Sequence, residues 1–144
     1  MEPERLRYVE IYLDLATEKL DVARELLSLS RFDDTVSKAY YVMFYAAKAA
    51  LLTVGVVDVH KHAGVISFFG ERFVKTGKLN RRYSKILSHA LDARLDADYD
   101  PKKRARREDA VQSIANAEDF LAKAREIVAE AVGLKESENV DRPA

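Results

Sequence analysis

The sequence predicts an all-α protein, an up-and-down bundle of four long helices plus one shorter helix. Three observations predict it. Apolar residues recur at alternating steps of three and four, and no useful length of chain alternates with the period of a strand. Ala, Leu, Val, Lys, Arg and Glu dominate a chain with only five glycines and three prolines. The 144 residues fit one domain. A chain of this length buries roughly 70% of its unfolded surface, enough for a core without covalent staples. The expected domain covers residues 1–133, followed by a polar, frayed tail over 134–144.

The first helix is expected from about Glu4 to Ser30, with Leu6, Val9, Leu13, Ala16, Leu20, Ala23 and Leu27 as its apolar seam. The break around Ser28–Thr35 offers Ser and Asp as N-caps for a second helix, about Asp33 to Val54. That helix carries two apolar stripes, one through Val36, Ala39, Tyr40, Met43 and Ala47, the other through Tyr41, Phe44 and Tyr45. Burial on two sides marks a central bundle member or a subunit interface, and Gly55 is a natural stop. A third, shorter helix runs from about His62 to Thr76, with Phe69 and Phe73 inward and close packing implied at Gly64 and Gly70. The fourth, about Asn80 to Ala97, turns Tyr83, Ile86, Leu87, Ala90 and Leu91 inward. Continuing that stripe leads to Arg94, which then needs a partner, and Asp98 lies four residues on. Asp100-Pro101 breaks the chain. The fifth helix is expected from about Ala105 to Val132, with Val111, Ile114, Ala117, Leu121, Ala124, Val128 and Ala131 inward and Gly133 as its stop.

Several chemistries are excluded. Without cysteine there are no disulfides, thiolate metal sites or Cys nucleophiles, which is compatible with the reducing cytoplasm expected as its location. No segment approaches the roughly 20 apolar residues of a membrane span, so no membrane partner is expected. Lys+Arg and Asp+Glu balance at 24 each, unlike a nucleic-acid coat protein. The glycines make no phosphate-binding loop, and no cofactor is expected. His60 and His62 diverge on a helix and would need further ligands to hold a metal; no metal site is expected, and His62 caps the third helix or contacts a neighbour. One charge run stands out: Lys102, Lys103, Arg104, Arg106 and Arg107. Cations at a helix start oppose its dipole, so the run is either a solvated surface or a candidate site for RNA phosphates or an acidic partner.

The stretch Ser37-Lys-Ala-Tyr-Tyr-Val-Met-Phe-Tyr-Ala-Ala-Lys-Ala, followed by a helix opening His62-Ala-Gly-Val-Ile-Ser-Phe-Phe, resembles the HEPN family. The likeness continues through Phe73-Val-Lys-Thr-Gly-Lys-Leu and Leu91-Asp-Ala-Arg-Leu-Asp-Ala-Asp-Tyr-Asp100, covering residues 5–130 or so. It is similar in particular to small prokaryotic members paired with a minimal nucleotidyltransferase. The resemblance implies an HEPN-like bundle that forms a homodimer. In family toxins the dimer cleft is a metal-independent ribonuclease, built on an Arg followed after four to six residues by a His, often with a Tyr two further on. Imidazole can take the proton of a ribose 2′-OH while guanidinium steadies the phosphoryl oxygens.

Arg94 matches the family Arg, but no His follows it; Asp98 and Tyr99 stand in that region. A carboxylate is a poorer base toward a 2′-OH and repels phosphate, so Arg94–Asp98 is most simply an ion pair. Arg82 and His89 give a literal Arg-to-His spacing on the solvated face of the same helix. In some paired systems the nucleotidyltransferase transfers AMP to a Tyr beyond the family His, and Tyr99 is the nearest equivalent; its bland role is packing the helix end. Two functions follow. One is a dimeric module acting with a nucleotidyltransferase-type partner in a toxin–antitoxin-like or nucleotide- or RNA-binding role, with little or no catalysis. The other is a metal-independent endoribonuclease toxin centred on Arg94, helped by Asp98, Tyr99 or His89.

Overall fold

The computed structural model describes the backbone of residues 1–140 and the side chains of residues 1–133. Five helices follow in order: α1 (Pro3–Ser28), α2 (Phe32–Thr53), α3 (His62–Phe69), α4 (Arg81–Tyr99) and α5 (Arg107–Val140), with a single π-helical turn, Gly70–Val74, continuing α3. There is no strand among the described residues. Pro3 opens α1, where its missing N–H is no loss. Val9, Leu13, Ala16, Leu20 and Ala23 are buried along the seam that the three-four spacing predicts.

Helix α2 is the axis of the bundle and touches each of the other four helices. Its burial follows from composition: Ala39, Ala46, Ala47, Ala49 and Ala50 are fully buried and allow close backbone approach, while Tyr40, Met43 and Leu51 fill the space between them. Two turns that need a left-handed backbone end segments at glycine, Gly55 at φ +83° and Gly77 at φ +80°. Gly70 opens the π turn, and a Cβ there would meet Ser84 Oγ at 3.2 Å, so the missing side chain lets α3 close onto α4.

Three expectations are corrected. Neither Ser nor Asp caps α2, whose first turn instead starts at Arg31 without a side-chain cap. Asp33 is engaged elsewhere. Its carboxylate accepts from the Ala105 backbone N–H at 2.7 Å and meets Arg104 Nε at 2.8 Å, tying the α4–α5 connection to the start of α2. Val111 is not inward but 49% exposed, because the buried row that runs as expected through Ile114, Ala117, Leu121 and Ala124 continues one turn back to Ala110, with Phe120 beside it. Gly133 does not stop α5, which runs on to Val140. One glycine costs about 1 kcal/mol against alanine, and a helix already 26 residues long at that point is propagating rather than nucleating. The tail expected over 134–144 is therefore helical backbone to Val140, and residues 141–144 lie outside the described residues.

The Asp33 tie carries a prediction. Asp33→Ala removes one charge-assisted backbone hydrogen bond and one ion pair from a largely buried carboxylate, and should lower stability by about 1–3 kcal/mol in urea unfolding. A change below about 0.3 kcal/mol would mean that the connection is not held there.

Candidate nucleotide and RNA site

The site is built where the middle of α2 and the C-terminal part of α4 meet the first residue of α3. Tyr40, fully buried on α2, sets its hydroxyl 2.6 Å from His62 Nδ1. The His62 ring also lies 4.6 Å from the Phe44 ring centre and 6.1 Å from that of Tyr41. Above them, α4 delivers Arg94, whose guanidinium carbon is 5.1 Å from the Tyr41 ring centre and 5.9 Å from that of Tyr40. A guanidinium over tyrosine faces is held by the ring quadrupole, and here its side chain is only 16% exposed.

Arg94 Nε approaches Asp98 Oδ2 to 3.2 Å, so the two form an ion pair one helical turn apart. The approach is out of line, and Nε makes no hydrogen bond. A buried, charged donor left unmet is costly unless something comes to meet it. Tyr99 is 74% exposed rather than packed at the helix end. His62 was expected from the sequence as a helix cap or a neighbour contact and not as a site residue; the contact is with Tyr40 and Phe44. Its place in the chain, after the loop that follows α2, hides the fact that the turn folds it back onto Tyr40; the aromatic pair Tyr40-Tyr41 opposite a helix-opening histidine was the available signal.

Protonation follows from the surroundings. Burial pushes the Tyr40 phenol well above its ordinary value, so it keeps its proton. The phenol and His62 Nδ1 share one hydrogen bond, whose direction follows the imidazole tautomer. His62 is held below the ordinary imidazole value first by burial, then by the Arg94 and Lys48 charges. Well above pH 6.5 folded and unfolded chains are both neutral at this ring and the shift contributes nothing. As pH falls through 6.5 the unfolded chain takes up a proton that the folded chain resists, so stability declines until the folded pKa is reached. Asp119, lowered chiefly by the Arg82 hydrogen bond, loses its contribution only below its ordinary 3.8, in a separate window. His62→Gln should therefore flatten the fall in melting temperature between about pH 7.5 and 5.5. An unchanged fall would assign the acid sensitivity elsewhere.

The other candidates lie apart from this cluster. Arg82 is bound to the Asp119 carboxylate, which also accepts from the Tyr83 hydroxyl at 3.0 Å; this braces α4 to α5, and His89 stands exposed on the same face. The basic run is mostly engaged by neighbours. Arg104 meets Asp33, Lys103 lies 3.7 Å from Asp96, Arg107 donates to Ser30 Oγ at 3.0 Å, and Arg106 donates its backbone N–H to Asp109 at 2.9 Å. Most of the run precedes α5, whose first turn holds Glu108 and Asp109, so the dipole conflict expected from the sequence is largely relieved. No group of three or more His, Asp or Glu among the described residues could hold a metal ion, and no helix there is long and apolar enough to cross a membrane.

The chain matches the model of the HEPN domain family over residues 9–127. The chain belongs to the HEPN family. Among its relatives, a UPF0332 protein of Thermotoga maritima is 35% identical over 118 residues, 82% of this chain and 89% of that one. A Methanocaldococcus jannaschii protein named "Putative toxin MJ0605" is 34% identical over 122 residues, 85% of this chain and 90% of that one. A UPF0332 protein of Pyrococcus horikoshii is 45% identical over 82 residues, a stretch that spans 57% of either chain.

Proposed function

We propose that this HEPN protein is the toxin-class member of a two-protein system, a homodimer that binds RNA or nucleotide at the Arg94 cluster and works with a nucleotidyltransferase-type partner. The observation that carries the reading is the Arg94 guanidinium, laid on Tyr41 and Tyr40 with its Nε unbonded. A phosphate that met the guanidinium where its side chain stays exposed would add a charge-assisted hydrogen bond. The names of the methanogen relatives support a toxin-like role. A second copy has a surface to cover: Leu95 and Tyr99, one turn apart on α4 beside Arg94, are 41% and 74% exposed. The exposed Tyr99 phenol is also reachable by a nucleotidyl-transferring partner. Lys102 is the member of the basic run with no side-chain partner among the described residues, and in this reading it adds to the phosphate field along with its neighbours.

One observation favours a second reading, metal-independent ribonuclease activity. His62 stands in the Arg94 cluster although no His follows Arg94 in sequence. In that reaction a base removes the 2′-OH proton, the 2′-oxygen attacks phosphorus, and the bond to the 5′-oxygen breaks to leave a 2′,3′-cyclic phosphate. The Tyr40 hydroxyl engages His62 Nδ1 in either tautomer, which leaves Nε2 as the ring nitrogen it does not occupy.

The test is purified protein with labelled structured RNA in EDTA, together with its mass by ultracentrifugation. Binding without cleavage, at about twice the chain mass, is expected. Cleavage with cyclic phosphate ends that is lost in His62→Gln selects the ribonuclease. A clean monomer, unaffected by Leu95→Asp, removes the dimer.

A further inference from the structure

Among the described residues two buried side-chain nitrogens make no hydrogen bond, Arg94 Nε and Arg5 Nε. They lie at the two ends of one line of tyrosines. From Arg94 the line passes over Tyr41 to Tyr45, 6.2 Å on between ring centres. It continues to Tyr12, whose ring stacks on Tyr45 at 6.1 Å with 16° between planes. All three rings are half-buried, neither sealed in the core nor free of it. Lys48 Nζ sits 4.7 Å from the Tyr12 ring centre. Tyr12 then forms a wall of a cavity of about 450 Å³ between the start of α1 and the α2–α3 connection, shared with Arg5, Tyr8, Glu2, Glu4 and Asp58.

We infer that this line is a track for an unpaired RNA strand, with bases on Tyr41, Tyr45 and Tyr12, phosphates on Arg94 and Lys48, and one base seated in the Arg5 cavity. The inference rests on the RNA reading above and adds the direction in which the strand leaves Arg94 and the end at which a base is read. Every base has a π face, so a row of aromatic rings with cations along it holds single strands whatever their sequence. A duplex keeps its bases stacked inside and cannot use the row.

The cavity has a different chemistry. Three carboxylates there disfavour a phosphate, whereas a guanidinium donor and carboxylate acceptors beside aromatic walls are the set that reads a base edge. Arginine pairs with guanine O6 and N7, and a carboxylate accepts from an exocyclic amine. The Arg5 guanidinium, in the cavity wall, is the donor such an edge would meet. Cations along the row favour an anionic strand over the apolar face of a second copy.

The test is fluorescence anisotropy with a labelled, unstructured oligoribonucleotide of about ten nucleotides and with its duplex, using the full chain. The single strand should bind better than the duplex. Tyr12→Ala and Tyr45→Ala should each weaken it about five- to a hundredfold, and Arg5→Gln should narrow the preference between strands differing in one terminal base. If melting shows that an alanine variant is unfolded, Tyr→Leu at the same position keeps the apolar bulk and removes the polarised ring. Binding that is lost in Arg94→Ala but unchanged in the Tyr12 and Tyr45 variants overturns the track and leaves the RNA reading standing. Failure of the wild type to bind any RNA overturns that reading itself. A tyrosine variant that turns a dimer into a monomer makes the row an interface between copies and overturns the track.

Discussion

Arg94→Ala is expected to lower RNA or nucleotide affinity about ten- to a hundredfold while leaving the fold in place. The size follows from the chemistry of a charge-assisted hydrogen bond in a partly dehydrated site, worth about 1.5–3 kcal/mol. Arg94→Lys should restore little of it. The guanidinium lies over Tyr41 and Tyr40, and an ammonium on a flexible stem reproduces neither that contact nor the planar fork. The stability side is separable. Asp98 becomes better hydrated when Arg94 is truncated, so the ion pair itself should contribute no more than about 1 kcal/mol. The double variant Arg94→Ala/Asp98→Ala should be less than additive in unfolding free energy, since the pair touches. Anisotropy and urea unfolding on the same preparations decide the matter. Full affinity in a strongly destabilised Arg94→Ala variant would make the residue a structural brace between α2 and α4 and nothing more.

The parts of this molecule that were legible in sequence are those governed by local periodicity. The seam of α1 and the two-sided burial of α2 follow from spacing alone, because a helix must hide whatever stripe its sequence supplies. Arg94 could be placed for the same reason, as the next step of the Leu87–Ala90 row. His62 could not. Its meeting with Tyr40, 22 residues away, depends on how the α2–α3 connection turns back, which no pattern within either helix encodes. Asp33 failed differently. Local rules make an aspartate before a helix a cap, but a loop 72 residues downstream offered an N–H and a guanidinium together, and that pairing won. The basic run was legible as a charge excess and illegible as a partnered one, since most of its partners sit on α2, on α4 and in the α1–α2 connection. Val111 and Gly133 show the usual weakness at helix ends, where one residue of register or one glycine is outweighed by the packing of the long helix behind it.

Phe120→Ala is expected to be the most damaging single truncation in the core. The ring is 1% exposed and lies 5.0 Å from Phe69 and 6.3 Å from Tyr83, with Phe73 packed on Phe69 at 5.1 Å. These four rings come from α3, its π turn, α4 and α5, so one side chain joins the segments that α2 alone does not clamp. Removing it deletes the transfer term and leaves a hole between rings that cannot collapse without moving a helix, at a cost of about 3–5 kcal/mol. At about 2–4 °C per kcal/mol for a chain of this size, the melting temperature should fall by roughly 10 °C. Val111→Ala, on the exposed side of the same helix, should stay within about 0.5 kcal/mol of wild type. His62 opens α3, and α3 is seated through Phe69, so the loss should also loosen the Tyr40–His62 contact and weaken RNA binding in a variant that touches no part of the site. A Phe120→Ala protein that loses less than about 1 kcal/mol would mean that the bundle closes over the gap, and that α3 is held by α2 without help from α5.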